Sequence, residues 1–481
     1  MLTRRKTIRT TLSATALAMV TCAPVNGAEV YANFPVTVKG YAGPKTTSVS
    51  YSGQIARHVL HDSLKKLISS DLPEDEKYDR LMAFFSGKAN GRAIVAPKSQ
   101  GDFKIKQTTI DALSGGKNLS GKTAKFVVAG MPRGMTGPEL VRIWLAKAAA
   151  SKNGVDLQNG YDYAQLVSKF IIGAVSFNQA VDGYLDEGLA ATVKPNDQAY
   201  KKGQAYTGKE HVWDEAFGYF GAPAHTLSLT AGDLYHIAKL GKKAKDQKAV
   251  MALADHNGDG VVDLKTEMVF GPAYYAAAFD KAATTAGLTS NYSHGIFRAF
   301  LDGRKIISAA NGEKLSPSQR ASLVDLAAQI ETAWQTVLAE AVFKYAGSVL
   351  KDMSKLQTIV DANGDPKKQF KKYLKHWSEL KGFSLALQSG RQDLGDTASK
   401  LNRLIGAGPL LLNASQVVDI DRSGNYVRDQ GETWAGYMVH MVKVQRLMVD
   451  EFGVRVKVND ATSDLTALLK AAGGGANAEN D

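Results

Sequence analysis

Lys375-His376-Trp377-Ser378-Glu379-Leu380-Lys381-Gly382-Phe383 has an earlier counterpart in the same chain, His211-Val212-Trp213-Asp214-Glu215-Ala216-Phe217-Gly218-Tyr219. Both follow the pattern Trp-x-Glu-x-x-Gly-aromatic, and positions 213 and 377 differ by 164. Each is followed, at the same distance, by an acidic glycine loop. The first is Asp255-His256-Asn257-Gly258-Asp259-Gly260, the second Asp419-Ile420-Asp421-Arg422-Ser423-Gly424. The correspondence extends in both directions. Leu166, Phe170 and Ala174 fall against Ile330, Trp334 and Leu338, and Phe270 falls against Trp434. One unit then consists of a long helix, a Trp-x-Glu helix, an acidic loop and a closing helix. Self-similarity at a fixed offset marks a repeated structural unit. The expected fold is mainly α, with internally duplicated helical bundles related by a pseudo-twofold axis and a short extended segment before them.

A chain of 481 residues is too long for one small core and predicts two or three domains. Its 44% hydrophobic and 22% charged residues are those of a soluble globular protein. The formal charge is +12, but Arg4, Arg5, Lys6 and Arg9 belong to an N-terminal leader, so residues 29–481 carry +8. No basic cluster is interleaved with stacking aromatics, so nucleic acid is not an expected partner. The leader has a basic start and a weakly apolar stretch from Leu12 to Val20. Small residues for cleavage follow near Gly27 and Ala28, the pattern of an export signal. Met19-Val20-Thr21 is a poor lipobox before Cys22, and Thr7 departs from the twin-arginine pattern. Cleavage there removes the single cysteine, so any metal must be held by oxygen and imidazole. The mature chain has no apolar run long enough to cross a bilayer.

The expected segments are a signal peptide at 1–28, an extended and helical region at 29–155, a first helical repeat at 156–310, a second at 311–470, and a disordered tail at 471–481. Ile55, Val59, Leu60, Leu64 and Leu67 form a helical stripe. Pro73-Glu74-Asp75-Glu76 starts the next helix, its acids offsetting the helix dipole. Ser316-Pro317-Ser318-Gln319 is a capping box with proline at the first helical position. Gly116-Lys117-Asn118-Leu119-Ser120-Gly121-Lys122-Thr123 satisfies the P-loop pattern letter for letter. A phosphate-binding loop needs a strand before it and a helix after it. Here strand-like Phe126-Val127-Val128 follows, so a polar glycine loop is the better reading.

Two groups of residues have the chemistry to hold metal. On a helix, positions three or four apart share a face, so His376 with Glu379, and His211 with Glu215, each offer one imidazole and one carboxylate. Such a donor set suits iron or zinc. The competing reading makes each tryptophan core, each glycine a close helix contact and each glutamate a local partner. In the first acidic loop, Asp255, Asn257, Asp259 and Asp263 alternate as in a Ca²⁺-binding EF-hand loop. Its last ligand is displaced, however, with Thr266 twelfth and Glu267 thirteenth. The second loop, with Asp419 and Asp421, is a poorer match, and Asp361-Ala362-Asn363-Gly364-Asp365-Pro366 is expected to be an Asx-rich turn. Lys368, Lys371, Lys372 and Lys375 form a basic stripe, most simply a solvated helix face, otherwise a contact for an anion such as a ferric chelate. Gly-x-Ser-x-Gly and His-Glu-x-x-His are both absent from the sequence, and no catalytic residue is assigned.

Tyr31-Ala32-Asn33-Phe34, Ser48-Val49-Ser50-Tyr51-Ser52-Gly53-Gln54-Ile55-Ala56-Arg57, Trp213 to Tyr219 and His376 to Phe383 resemble a bacterial exported family classed as a domain of unknown function. The resemblance covers nearly all of the mature chain. It implies an imelysin-like architecture and a place in envelope iron uptake. Imelysins carry Gly-x-His-x-x-Glu; His376 and Glu379 keep that spacing, while Leu374 stands where the glycine belongs. The expected function is a non-catalytic binding protein of the periplasm, outer membrane or cell surface. Its expected partners are a metal ion or iron chelate and envelope uptake proteins, with calcium in the acidic loops. The alternatives are a metallohydrolase using His376 and Glu379, and a structural envelope protein.

Overall fold

The computed structural model describes residues 29–390 and 393–471, so the expected signal peptide and the tail from residue 472 lie outside the described residues. The described residues are mainly helical, with fourteen α-helices. The first three are α1 (Ser52–Ile68), α2 (Glu74–Phe85) and α3 (Gly137–Ala149). The first Trp-x-Glu region holds α4 (Tyr163–Ile171), α5 (Gly208–Phe220), α6 (Ala231–Ala238) and α7 (Gln247–Ala254). Next come α8 (Gly271–Thr285), α9 (Tyr292–Ala309) and the 45-residue α10 (Pro317–Asp361). The chain continues through α11 (Lys367–Ala386), α12 (Gly395–Ile405), α13 (Trp434–Phe452) and α14 (Leu465–Ala471). Two short antiparallel hairpins, β1 (Val155–Asp156) with β2 (Tyr161–Asp162) and β3 (Ser415–Ile420) with β4 (Tyr426–Gln430), supply the sheet. Among the described residues, no helix is long and apolar enough to cross a membrane.

Local chemistry explains the helix boundaries. Ser316 accepts the amide of Gln319, the Gln319 side chain returns a bond to the Ser316 amide at 2.8 Å, and Pro317 opens α10. Thr207 and Glu210 cap α5 in the same reciprocal way, and Gly221 closes it in the left-handed region. Helix α4 does not stop at Ile171. It widens into π-helical turns, Ile172–Phe177 and Gln179–Tyr184, where α11 packs so closely that a Cβ on Gly173 would meet the Ala386 backbone at 2.6 Å.

The buried apolar residues form one continuous cluster running from Tyr31 to Leu465. The N-terminal segment belongs to it: Tyr31 is fully buried, stacks on Phe217 at 3.7 Å and bonds the Ala224 carbonyl through its amide. In the region 29–155, expected to be extended and helical, residues 87–135 make only isolated bridges, such as Ile105 beside Val262.

Candidate functional site

Both motif tryptophans are fully buried, and both motif glycines sit at helix crossings. A Cβ on Gly218 would lie 2.7 Å from Tyr51 Cβ, next to α1; one on Gly382 would lie 2.6 Å from Lys169 Cβ on α4. The indoles have different partners. Trp213 donates to the Phe300 carbonyl on α9, and Trp377 donates to the Tyr437 hydroxyl on α13, both at 2.7 Å.

The two His–Glu pairs also differ. His211 Nε2 lies 3.4 Å from Glu215 Oε2 along α5, and Gln54 Nε2 donates to the other carboxylate oxygen at 2.6 Å. The imidazole packs against both Tyr200 and Tyr206, whose ring centres lie 3.9 and 4.8 Å away, and its Nδ1 has no hydrogen-bond partner. Burial pushes the His211 pKa down despite the pull of Glu215, so the ring is neutral near pH 7. Tyr184, carried in by the π-helical turns, faces the same carboxylate. The P-loop-like segment supplies cations. Lys122 lies 5.8 Å from the Tyr184 ring, and Lys117 packs against Gly53 near Arg57. That segment forms a glycine turn and a single 3₁₀ turn, Ser120–Lys122, with no α-helix until α3, so it lacks a phosphate-binding loop's geometry.

On α11 the expected neighbours part company. His376 Nδ1 lies 2.5 Å from Asp352 Oδ2 on α10, while Glu379 faces Lys169 Nζ at 3.7 Å. Burial pushes the Asp352 carboxyl up, but the bond and charge of His376, with Gln369 and Lys372, hold it below its ordinary value. Among the described residues, no three or more His, Cys, Asp or Glu side chains are gathered to hold a metal ion, so the two His–Glu pairs do not meet in one cage.

In the first acidic loop, the carboxylates turn onto their own backbone. Asp255 accepts the amides of Asp259 and Gly260 at 3.1 and 2.8 Å. Asn257 accepts from the Asp259 amide, and Asp263 from the Lys265 amide and the Gln107 side chain. Glu267 spans the loop, receiving the amides of Asn257 and Asp263. Lys106 Nζ lies 2.9 Å from Asp259 Oδ2 and acts as a cation on the loop. Val262 is tied to residues 104 and 106 by backbone bonds. The second loop is a hairpin turn between β3 and β4. Asp421 Oδ1 accepts the amides of Ser423 and Asn425, and Asp419 accepts that of Ile420. The 361–366 stretch is the α10–α11 turn, with Asn363 at φ +52 and Asp365 accepting the Lys367 amide.

A further polar network was not visible in the sequence. Arg304 of α9, fully buried, donates to Asp214 at 2.9 Å, to Glu210 at 3.1 Å and to Ser48 at 2.5 Å. Tyr31 and the Ser50 amide bond the same Asp214, and Thr37 bonds Glu210. The network locks the N-terminal segment onto α5 and α9, with Glu210 and Asp214 each one residue before His211 and Glu215 on α5.

Residues 148–256 match the family model described as "Domain of unknown function (DUF4856)". The matched stretch contains α4 to α7 and ends as the first acidic loop begins, so it includes His211 and Glu215. No curated protein and no solved structure matches the chain.

Proposed function

We propose that this chain is an exported, non-catalytic envelope protein that binds a metal carried in an anionic chelator, with iron the leading candidate, at the His211–Glu215 pair. One observation carries the reading. A neutral imidazole and a carboxylate lie 3.4 Å apart, ringed by the phenols of Tyr184, Tyr200 and Tyr206 and by Arg57, Lys117 and Lys122. Two donors cannot satisfy a bare ion, so the metal must arrive with most of its ligands in place. The surrounding cations suit the negative charge of such a chelate, and the orphaned His211 Nδ1 offers a further polar contact.

The hydrolase alternative asks His376 and Glu379 to share one ion, whereas Asp352 and Lys169 draw them apart. The duplicated, imelysin-like architecture belongs to the same proposal. Its support is the order of long helix, Trp-x-Glu helix, short helix, acidic turn and closing helix, with Ala231 of α6 and Gly395 of α12 again 164 positions apart; α7 is added in the first stretch and the β3–β4 hairpin in the second. Calcium in the 255–267 loop is proposed as a structural brace for the first copy.

Equilibrium dialysis of the mature protein against ferric citrate and against citrate alone tests the binding. Ferric citrate is expected to bind more tightly than citrate, and Glu215→Gln and His211→Ala to weaken it by at least about tenfold, or about 1.4 kcal/mol. Equal binding of both, or variants indistinguishable from the parent, would overturn the proposal.

A further inference from the structure

The second motif glutamate stands in a different setting. Glu379 is 6% exposed, and Lys169 of α4, which faces it at 3.7 Å, is 4% exposed. Lys65 of α1 lies against Lys169. Lys239, at the end of α6, and Lys344, on α10, complete the group, each within reach of the Lys169 charge. A phenol backs three of the ammonium groups. Lys169 Nζ is 5.6 Å from the Tyr275 ring centre, Lys239 Nζ 4.1 Å from Tyr274, and Lys344 Nζ 5.2 Å from Tyr345.

Nearby charges do not cancel the excess. Asp62 and Asp162 add two carboxylates to Glu379, so the four lysines, when protonated, leave one positive charge over, and the exposed Lys375 adds another at the rim. Among the described residues, Lys169 is the one lysine of the five with a carboxylate oxygen within 4 Å. Crowding ammonium groups out of water without counter-ions is costly. Burial, then the charge of Lys169, pushes the Lys65 pKa down to about 7; burial, then Lys65, pushes Lys239 down to about 8. A structural ion pair with Glu379 needs one lysine. Cations converging from α1, α4, α6 and α10 fit a receptor better than a strut, and the half-buried Lys65, Lys239 and Lys344 keep contact with solvent.

We infer that Lys65, Lys169, Lys239 and Lys344 form a second binding site, separate from the His211–Glu215 pair, for a compact multivalent oxyanion of the phosphate or small polycarboxylate class. Ammonium groups grip such a ligand as point charges, and the tyrosine rings shield it from competing water. Glu379 orients Lys169 and competes with the ligand for it.

Isothermal titration of the full mature chain with sodium phosphate, and separately with metal-free citrate, tests this at low ionic strength. At least one anion is expected to bind with a Kd below about 1 mM. A response to phosphate alone assigns the phosphate class, and a response to citrate alone the polycarboxylate class. Lys65→Ala and Lys239→Ala, at half-buried positions that tolerate truncation, are expected to weaken binding at least about tenfold. Glu379→Gln is expected to strengthen it, because a competing negative charge is gone. The inference fails if neither anion binds below about 10 mM, if both lysine variants bind like the parent, or if a folded Glu379→Gln protein binds more weakly. Glu215→Gln, which breaks the chelate site, leaves this binding unchanged.

Discussion

Replacing Arg304 by methionine removes, among the described residues, the one cation paired with Glu210 and Asp214, which are both fully buried. Methionine fills much of the same volume, so the loss is electrostatic rather than a cavity. Some donors remain: Tyr31 and the Ser50 amide on Asp214, and Thr37, Ser48 and the Thr207 amide on Glu210. They solvate the carboxylates without neutralising them. Breaking a buried pair by deleting one partner costs about 3–5 kcal/mol, and the expected loss at pH 8 lies in that range. Protonation offers an escape. Burial raises the Asp214 pKa to about 6, against the pull of Arg304. A carboxyl whose folded pKa exceeds its unfolded value takes up a proton on folding. Its contribution is therefore favourable in acid and is lost as pH rises from about 4 through about 6. Without Arg304 the folded pKa climbs further, so the variant should recover at least about 1 kcal/mol of its deficit between pH 8 and pH 5. Urea unfolding of parent and variant at both pH values measures this, with limited proteolysis reporting release of residues 31–50. The triple replacement Arg304→Met, Glu210→Gln, Asp214→Asn should restore most of the stability. A deficit below about 1 kcal/mol at pH 8, equal deficits at both pH values, or a triple variant no better than the single one refutes the reasoning.

Gly218→Ala and Gly382→Ala should each lower stability by about 1–3 kcal/mol in thermal melts, since the new methyls meet Tyr51 and Lys169 at 2.7 and 2.6 Å. A neutral outcome at either position removes the close-crossing role given to that glycine. Millimolar calcium should raise the melting temperature of the parent, and Asp255→Asn with Glu267→Gln should abolish the rise. Lys106→Met should sharpen the calcium response, because its ammonium sits 2.9 Å from an Asp259 oxygen that calcium needs; a weaker response would show that the lysine shapes the loop.

The helices were readable where local chemistry decides them. The stripe from Ile55 to Leu67 lies in α1, the acids after Pro73 open α2, and the Ser316–Gln319 box opens α10. The buried tryptophans and tightly packed glycines also follow from the motif itself. Partners from distant parts of the chain did not show. Arg304 binds residues 90 and 94 positions away, and in sequence it looks like any polar residue on an amphipathic helix. The lysines at 65, 169, 239 and 344 lie far apart in unrelated segments, whereas the conspicuous run at 368, 371 and 372 is largely exposed.

The two His–Glu pairs show why spacing alone could not decide the site. His211 and Glu215 are four residues apart on a helix, and their side chains meet. His376 and Glu379 are three apart and share a face by the same rule, yet α10 presents Asp352 to one and α4 presents Lys169 to the other. A charged partner on the facing helix outbids a same-helix neighbour, because burial strengthens the attraction and water no longer screens it. One sequence motif, packed against different helices, therefore yields a contacting imidazole–carboxylate pair at 211–215 and a carboxylate among lysines at 379.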